Sequence, residues 1–379
     1  MLFPIFRGFN LICGNLCRPI VLSGSTLLKK MLLLFCLKAP DINLNRRFSP
    51  REGALHSGPA INIRKNEKGE YVYFDPHVNG YYNARMGIKC DFWNCPDDDQ
   101  IKKFSGYQFK KGILAFYPTL ITGSIEEFER NLARIKEFRK KHYRSEAEAH
   151  QQELSYIRGV HIEGGLISKK GVHPKEYTNV FQNLKTVKAL VEKYQGLIKM
   201  WTLCPTMDPN GKITKYLQSQ GILVSYGHSD ATYSQAMKAF EQHGVKTITH
   251  WGNTMFLHKN IRNARDITDE QIRFILNPNS IKDASNKDDF GIGYYALHDP
   301  NVTLQVICGS PEAKDVHLNP KLLRAVYQHK GPEKIALVSD VACNPRRTNT
   351  LRGANQLVSE HRENLGRLLA KPESEIQKS

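Results

Sequence analysis

221-GILVSYGHSDATYSQAMKAFEQHGVKTITHWGNT-254 reads as strand, helix, strand, with a histidine just past each strand. Ile222 to Tyr226 is an apolar run of strand-forming residues, Ser229 can cap a helix over Ala231 to His243, Gly244 stops it, and Val245 to Thr249 is the next short run. In a parallel α/β unit the carboxyl ends of successive strands open on one face of the sheet, where ligands and catalytic groups collect. His228 and His250 are therefore expected close together. Taken singly, each is better read as a surface or capping residue. As a matched pair they suit a divalent metal such as Zn²⁺, provided an anionic ligand joins them.

Working outward, short β-rich runs recur at Tyr71 to Phe74, Ile113 to Tyr117, Tyr156 to Ile162, Leu197 to Cys204, Ile222 to Tyr226, Val245 to Thr249, Val302 to Ile307 and Ile335 to Val338. Helical patterns lie between most of them: Ile125 to Phe138, Tyr177 to Lys193, Ile213 to Gln218, Ser234 to His243 and Pro320 to Gln328. Eight strands alternating with helices predict an α/β chain forming a (β/α)₈ TIM-like barrel over residues 71–345. The rival is a doubly wound sheet, but no glycine-rich phosphate fingerprint follows an early strand. The polar stretch from Trp251 to Pro300 reads as an insertion or lid over the carboxyl face. Residues 1–40 read as an N-terminal extension, 41–70 as a remnant of a small β domain, and 346–379 as a final helix with a charged tail.

The polar residues fall where a site built from several strand ends needs them. His77 and Asn79 follow the first run, His161 and Glu163 end the third, His228 follows the fifth, His250 the sixth and Asp340 the eighth. A buried carboxylate or imidazole is costly unless paired or coordinated, so chance explains this distribution poorly.

Composition narrows the class. Of 379 residues, 54 are Lys or Arg and 37 Asp or Glu, a formal charge of +17. That excess is spread along the chain with no basic tract, zinc-finger spacing or aromatic-basic repeat, so it reads as surface and solubility chemistry rather than a nucleic-acid footprint. The eight cysteines show no metal spacing and no disulfide framework, which favours a reducing compartment. MLLLFCLKAP from Met31 is too short to span a bilayer, and neither Met1 nor Met31 opens a well-formed signal peptide. The expectation is a cytoplasmic protein that engages neither membrane nor nucleic acid.

At three blocks, 161-HIEGGLISKKGVHP-174, 225-SYGHSDATYSQA-236 with 245-VKTITHWGNTM-255, and 335-IALVSD-340, the chain resembles the N-acetylglucosamine-6-phosphate deacetylases of the amidohydrolase superfamily. Weaker likeness covers 74-FDPHVNG-80 and 112-GILAFYPTLITGS-124. The resemblance implies that Glu163, His228 and His250 bind an essential divalent ion, with Zn²⁺ the expected one. His77 and Asn79 fall where related enzymes carry ligands for a second ion, although Asn79-Gly80 is equally a turn signal. Asp340 matches the family's general base and acid. His317 in 315-DVHLNP-320 matches a histidine that holds substrate and polarises its carbonyl, and a helix start at Pro320 is the other reading of that segment. His173, Asn253 and Thr254 match substrate contacts. The family's phosphate-gripping arginine is replaced by 286-NKDDFGIG-293, leaving Lys287, Arg262 and Arg265 as candidates.

The implied reaction is deacetylation of N-acetylglucosamine 6-phosphate, with a phosphorylated amino sugar as ligand and a homodimer as the candidate assembly. The alternatives are another N-acyl or cyclic-amide hydrolase, or a non-catalytic phosphosugar-binding homologue. With 39 residues after Asp340, the family's small β-sandwich is expected to be incomplete or missing.

Overall fold

A computed structural model describes residues 61–65, 71–171, 173–261, 264–307 and 318–340. Its strands in chain order are β1 (Ile63–Lys65), β2 (Tyr71–Val78), β3 (Gly80–Asn83), β4 (Ile88–Asp91), β5 (Ile113–Ile121), β6 (Tyr156–Ile157), β7 (Val160–Glu163), β8 (Ile198–Leu203), β9 (Leu223–Tyr226), β10 (Thr247–Ile248), β11 (Thr303–Ile307) and β12 (Ile335–Val338). Parallel pairing runs β2, β5, β7, β8, β9, β10, β11, β12, so the eight barrel strands lie side by side in sequence order. Each of the eight runs expected from the sequence supplies one of them, the third as β6 and β7 together. The (β/α)₈ barrel is thus the fold.

Closure between β12 and β2 depends on a side chain as well as on backbone. Asn62, buried just ahead of β1, donates through Nδ2 to Phe74 O (2.8 Å) and Leu337 O (2.6 Å), and its Oδ1 accepts from Leu337 N (3.0 Å). Its amide imitates a strand's peptide group where the two strands splay. Further along the seam Ser339 N donates to Asp75 Oδ1, and at its carboxyl end Asp340 N donates to His77 O at 3.0 Å. The seam therefore fixes Asp340, the candidate general base, against His77, a candidate metal ligand.

The helices are α1 (Asp98–Lys110), α2 (Ile125–His142), α3 (Glu146–Gln151), α4 (Leu184–Lys193), α5 (Lys212–Ser219), α6 (Tyr233–His243), α7 (Asp269–Leu276), α8 (Ile292–His298) and α9 (Pro320–Lys330). In α2, Phe128, Asn131, Leu132, Ile135 and Phe138 recur at helical spacing and are buried, and a Ser124/Glu127 capping box starts the helix. Strand residues alternate faces: Trp201 packs edge-on to Phe181 in the outer layer, whereas Thr202 points into the barrel to His161.

Two local expectations are corrected and two are extended. The helix expected from Tyr177 begins at Leu184, because residues 164–181 first fold back on themselves through Phe181 N to Gly165 O and Ile167 N to Thr178 O, and Asn183 then caps Lys185 N. The cap of α6 is Thr232, in a capping box with Gln235, while the Ser229 hydroxyl binds Ala231 N and lies against the Cys204 thiol. The stretch from Trp251 to Pro300 is not simply a lid. It carries α7 and the buried α8, and Gly291 at the start of α8 bridges to Thr232 beside α6. Finally, α1 and the β3–β4 hairpin are additional to the expected elements. Of the 41–70 segment, β1 pairs antiparallel with β2, while residues 41–60 and 346–379 lie outside the described residues.

Candidate metal centre

Glu163 ends β7 and lies at the centre of an imidazole ring system at the barrel's carboxyl end. Its Oε1 is 2.8 Å from His250 Nε2 and 3.1 Å from His228 Nε2, and its Oε2 is 3.1 Å from His77 Nε2 and 3.9 Å from His173 Nε2. All five side chains are almost wholly buried. His228, His250 and Asp340 adopt left-handed backbone angles, with φ of 47°, 28° and 47°. Such angles cost free energy in residues with a Cβ, and their gathering at three strand ends marks a functional site.

The hydrogen bonds show which ring nitrogens face the centre. His228 Nδ1 donates to Lys169 O (2.8 Å), which turns its Nε2 to the centre, 3.1 Å from His250 Nε2 and 3.1 Å from a carboxylate oxygen. Two imidazole nitrogens and one carboxylate oxygen thus converge within 3.1 Å of one another, a donor set that a divalent cation would satisfy together. His173 is different. Its Nδ1 accepts from Thr122 N (3.1 Å) and lies 2.6 Å from Thr122 Oγ1, so its proton sits on Nε2, directed at the cleft. Proximity alone also groups Glu163 with His173 and His228. The tautomer makes His173 a hydrogen-bond donor to whatever occupies the cleft, and favours His250 as the third ligand.

A second grouping joins His77, Glu163 and Asp340. His77 Nε2 is 3.1 Å from Asp340 Oδ1, and Asn79 Nδ2 donates to the same oxygen at 2.7 Å. Asn79 is accordingly more than a turn residue, because its amide orients Asp340. Burial opposes charge on His77, but the Glu163 and Asp340 carboxylates push its pKa well above the ordinary value. Burial alone would raise Asp340, yet the facing His77 holds it down to about 2. Glu163, opposed by burial but surrounded by imidazoles, is also held well below the usual carboxylate range. Burial pushes His173 down to about 4, in keeping with its neutral form. Asp340 is 13% exposed where His77 is fully covered, so Asp340 is the carboxylate that reaches the open cleft.

The other candidate residues divide. Asn253 and Thr254 border the centre: Asn253 N donates to His250 O, Thr254 O accepts from Ser229 N, and a Cβ placed on Gly171 would meet both Thr254 and His228. Lys287 is exposed in the short turn where the neighbouring Asp288 accepts from Ser234 N, at the start of α6. Arg265 is exposed, with its carbonyl accepting from Asn319 Nδ2. His317 and Arg262 lie outside the described residues. Thr122, which sets the tautomer of His173, and the Lys169 carbonyl, which sets that of His228, carry no signal in the sequence because each acts only across the fold.

Comparison with known proteins places this geometry. No family model matches the chain. An N-acetylglucosamine-6-phosphate deacetylase of Danio rerio is 33% identical over 148 residues, 38% of this chain and 34% of that protein. One from Lysinibacillus sphaericus is 35% identical over 191 residues, 48% of this chain and 43% of that protein. Among solved structures, the N-acetylglucosamine-6-phosphate deacetylase of Thermotoga maritima superposes with a TM-score of 0.55 at 22% identity, over 78% of this chain and 72% of that one. The solved structure thus shares the barrel fold of this chain. Over the matched stretches the chain is similar in sequence to N-acetylglucosamine-6-phosphate deacetylases. It spans about a third to a half of the length of the curated relatives it matches. Among the described residues no helix is long and apolar enough to cross a membrane.

Proposed function

We propose that the protein hydrolyses the acetamide of N-acetylglucosamine 6-phosphate, releasing acetate and glucosamine 6-phosphate. The observation that carries the proposal is the single cluster in which Glu163 binds His228 and His250 while Asp340, one His77 ring away, reaches the cleft. Glu163, His228 and His250 would hold the divalent ion, for which Zn²⁺ suits the two-nitrogen, one-oxygen donor set, and His77 with Asp340 is the candidate position for a second. When bound, such an ion polarises a carbonyl and acidifies water.

The remaining chemistry belongs to the chain. Asp340, ionised and held by His77 and Asn79, takes a proton from water as the water oxygen bonds to the amide carbon. The carbon–nitrogen bond then breaks as Asp340 returns that proton to nitrogen, which leaves as a neutral amine. His173, with its proton on Nε2 near Glu163, donates to the substrate, and Asn253 and Thr254 border the same space. His317 remains the candidate for holding the carbonyl, with Lys287, Arg262 and Arg265 as candidates for the phosphate. Another N-acyl or cyclic-amide substrate would use the same carbonyl steps, so the assay must vary the sugar. Acetate release is to be measured with Zn²⁺ supplied, for the full chain and for Asp340→Asn, with the phosphorylated and unphosphorylated sugars. The expected result is release from the phosphorylated sugar that falls roughly 10²- to 10⁴-fold in the variant, the range of a lost general acid–base. No release by folded, metal-loaded protein overturns the proposal.

A further inference from the structure

Inside the barrel beside the metal centre runs a continuous line of buried polar groups that the proposed reaction does not use. Val78 N donates to Thr119 Oγ1 (3.0 Å), which lies 3.2 Å from His161 Nδ1. His161 Nε2 is 2.7 Å from Thr202 Oγ1, Thr202 Oγ1 is 2.6 Å from Thr249 Oγ1, and Thr249 Oγ1 donates to Ser225 Oγ at 2.7 Å. All six residues are at most 1% exposed.

The proton directions can be worked out along the chain. Thr249 uses its one hydroxyl proton on Ser225, so Thr202 must donate to Thr249, and His161 Nε2–H must donate to Thr202. The Nδ1 of His161 is then an acceptor facing the Thr119 hydroxyl at 3.2 Å, the nearer of that hydroxyl's two acceptors, the other being Tyr117 O at 3.4 Å. This orientation gives both nitrogens of His161 and all three threonine hydroxyls a partner, and the line runs across β2, β5, β7, β8, the residue after β10, and β9. Its members neighbour the centre's residues along the chain: Val78 follows His77, His161 is two residues before Glu163, Thr249 immediately precedes His250, and Ser225 is three before His228. The His161 ring also stands edge-on to His77, with centroids 4.8 Å apart at 88°.

We propose that this belt, with His161 at its middle, is a positioning device that locks the heights of the ligand-bearing strands and so sets the affinity of the centre for its ion. The proposal rests on the reading of Glu163, His228 and His250 as metal ligands. Side chains that orient ligands from behind typically contribute 10- to 100-fold in metal affinity.

The test separates hydroxyl from shape at one link. In the full chain, Thr249→Val keeps the shape and removes the hydrogen bonds, whereas Thr249→Ser keeps the hydroxyl and removes a methyl group. Zn²⁺ affinity is measured by competition with a chelator, and Co²⁺ absorption reports ligand geometry. The belt predicts that Thr249→Val weakens Zn²⁺ binding roughly 10- to 100-fold and alters the Co²⁺ spectrum, while Thr249→Ser stays within about threefold of the unaltered protein, a small part of that range. A role in packing alone predicts the reverse order and overturns the proposal, as does a Thr249→Val protein with unaltered affinity and spectrum. If Thr249→Val does not fold, Thr202→Val against Thr202→Ser is read in the same way. An unaltered chain that takes up no Zn²⁺ overturns the ligand reading and this proposal together; one that binds while Thr249→Val binds equally overturns the belt alone.

Discussion

Replacing Asn62 by alanine removes the side chain that joins β12 to β2, and its cost follows from the groups it leaves behind. Three hydrogen bonds are lost, to Phe74 O, Leu337 O and from Leu337 N. Leu337 O keeps the Tyr73 hydroxyl at 2.5 Å, so it is not abandoned. The Leu337 N–H loses the partner it has in Asn62, in a position where Leu337 is 2% exposed. At about 1 kcal/mol for each net hydrogen bond and up to about 3 kcal/mol for a buried donor left unmade, the expected loss is about 2–4 kcal/mol. Asn62→Asp sharpens the argument. It retains the acceptor for Leu337 N but turns a carboxylate toward two carbonyl oxygens, so it should be at least as destabilising as alanine, despite being nearly isosteric. Urea unfolding of the three proteins measures both differences. A loss below about 0.5 kcal/mol in Asn62→Ala, within the range of ordinary surface changes, or an aspartate more stable than alanine, would refute the account of the seam.

Two further outcomes follow from the same structure. Burial pushes His298, which donates through Nε2 to Ile275 O at 2.9 Å, down to about 4, so between pH 6.5 and 4 the unfolded chain binds more protons there and stability falls as pH falls. After discount for its partial exposure the loss from pH 7.5 to 5 is about 1 kcal/mol; His298→Gln should flatten the pH dependence of the urea midpoint by that amount, and an unchanged slope counts against it. Gly164 has φ of +108°, and a Cβ there would fall 1.9 Å from Thr122 Oγ1. Gly164→Ala should therefore cost about 2–4 kcal/mol, combining backbone strain with overpacking, and a melting temperature equal to that of the unaltered chain would contradict the geometry.

The barrel was legible because each of its strands is a short apolar run whose pattern is local, from Tyr71 to Val338. The centre was legible for a related reason: a histidine or glutamate at a strand's carboxyl end is placed by the strand itself, so Glu163, His228 and His250 meet once the sheet curls. What the sequence hid is non-local. Asn62 closes the barrel through partners about 275 residues away. Helix α8 is buried along Ile292 to Leu297, and so shows no alternation of polar and apolar faces to announce it. The early start assigned to α4 came from periodicity that the folded-back segment 164–181 overrides. Thr122 and the carbonyl of Lys169 decide two histidine tautomers, and a backbone carbonyl has no letter in the sequence.

The central claim is that Glu163, His228 and His250 together hold a divalent ion. Elemental analysis of the full chain purified without chelator, beside a His228→Ala, His250→Ala double variant shown to be folded, tests it most directly. The account predicts about one equivalent of metal, with Zn²⁺ the foremost candidate, in the unaltered protein, as for a single three-ligand site, and near-complete loss in the variant. A folded double variant that retains its full metal content would contradict it.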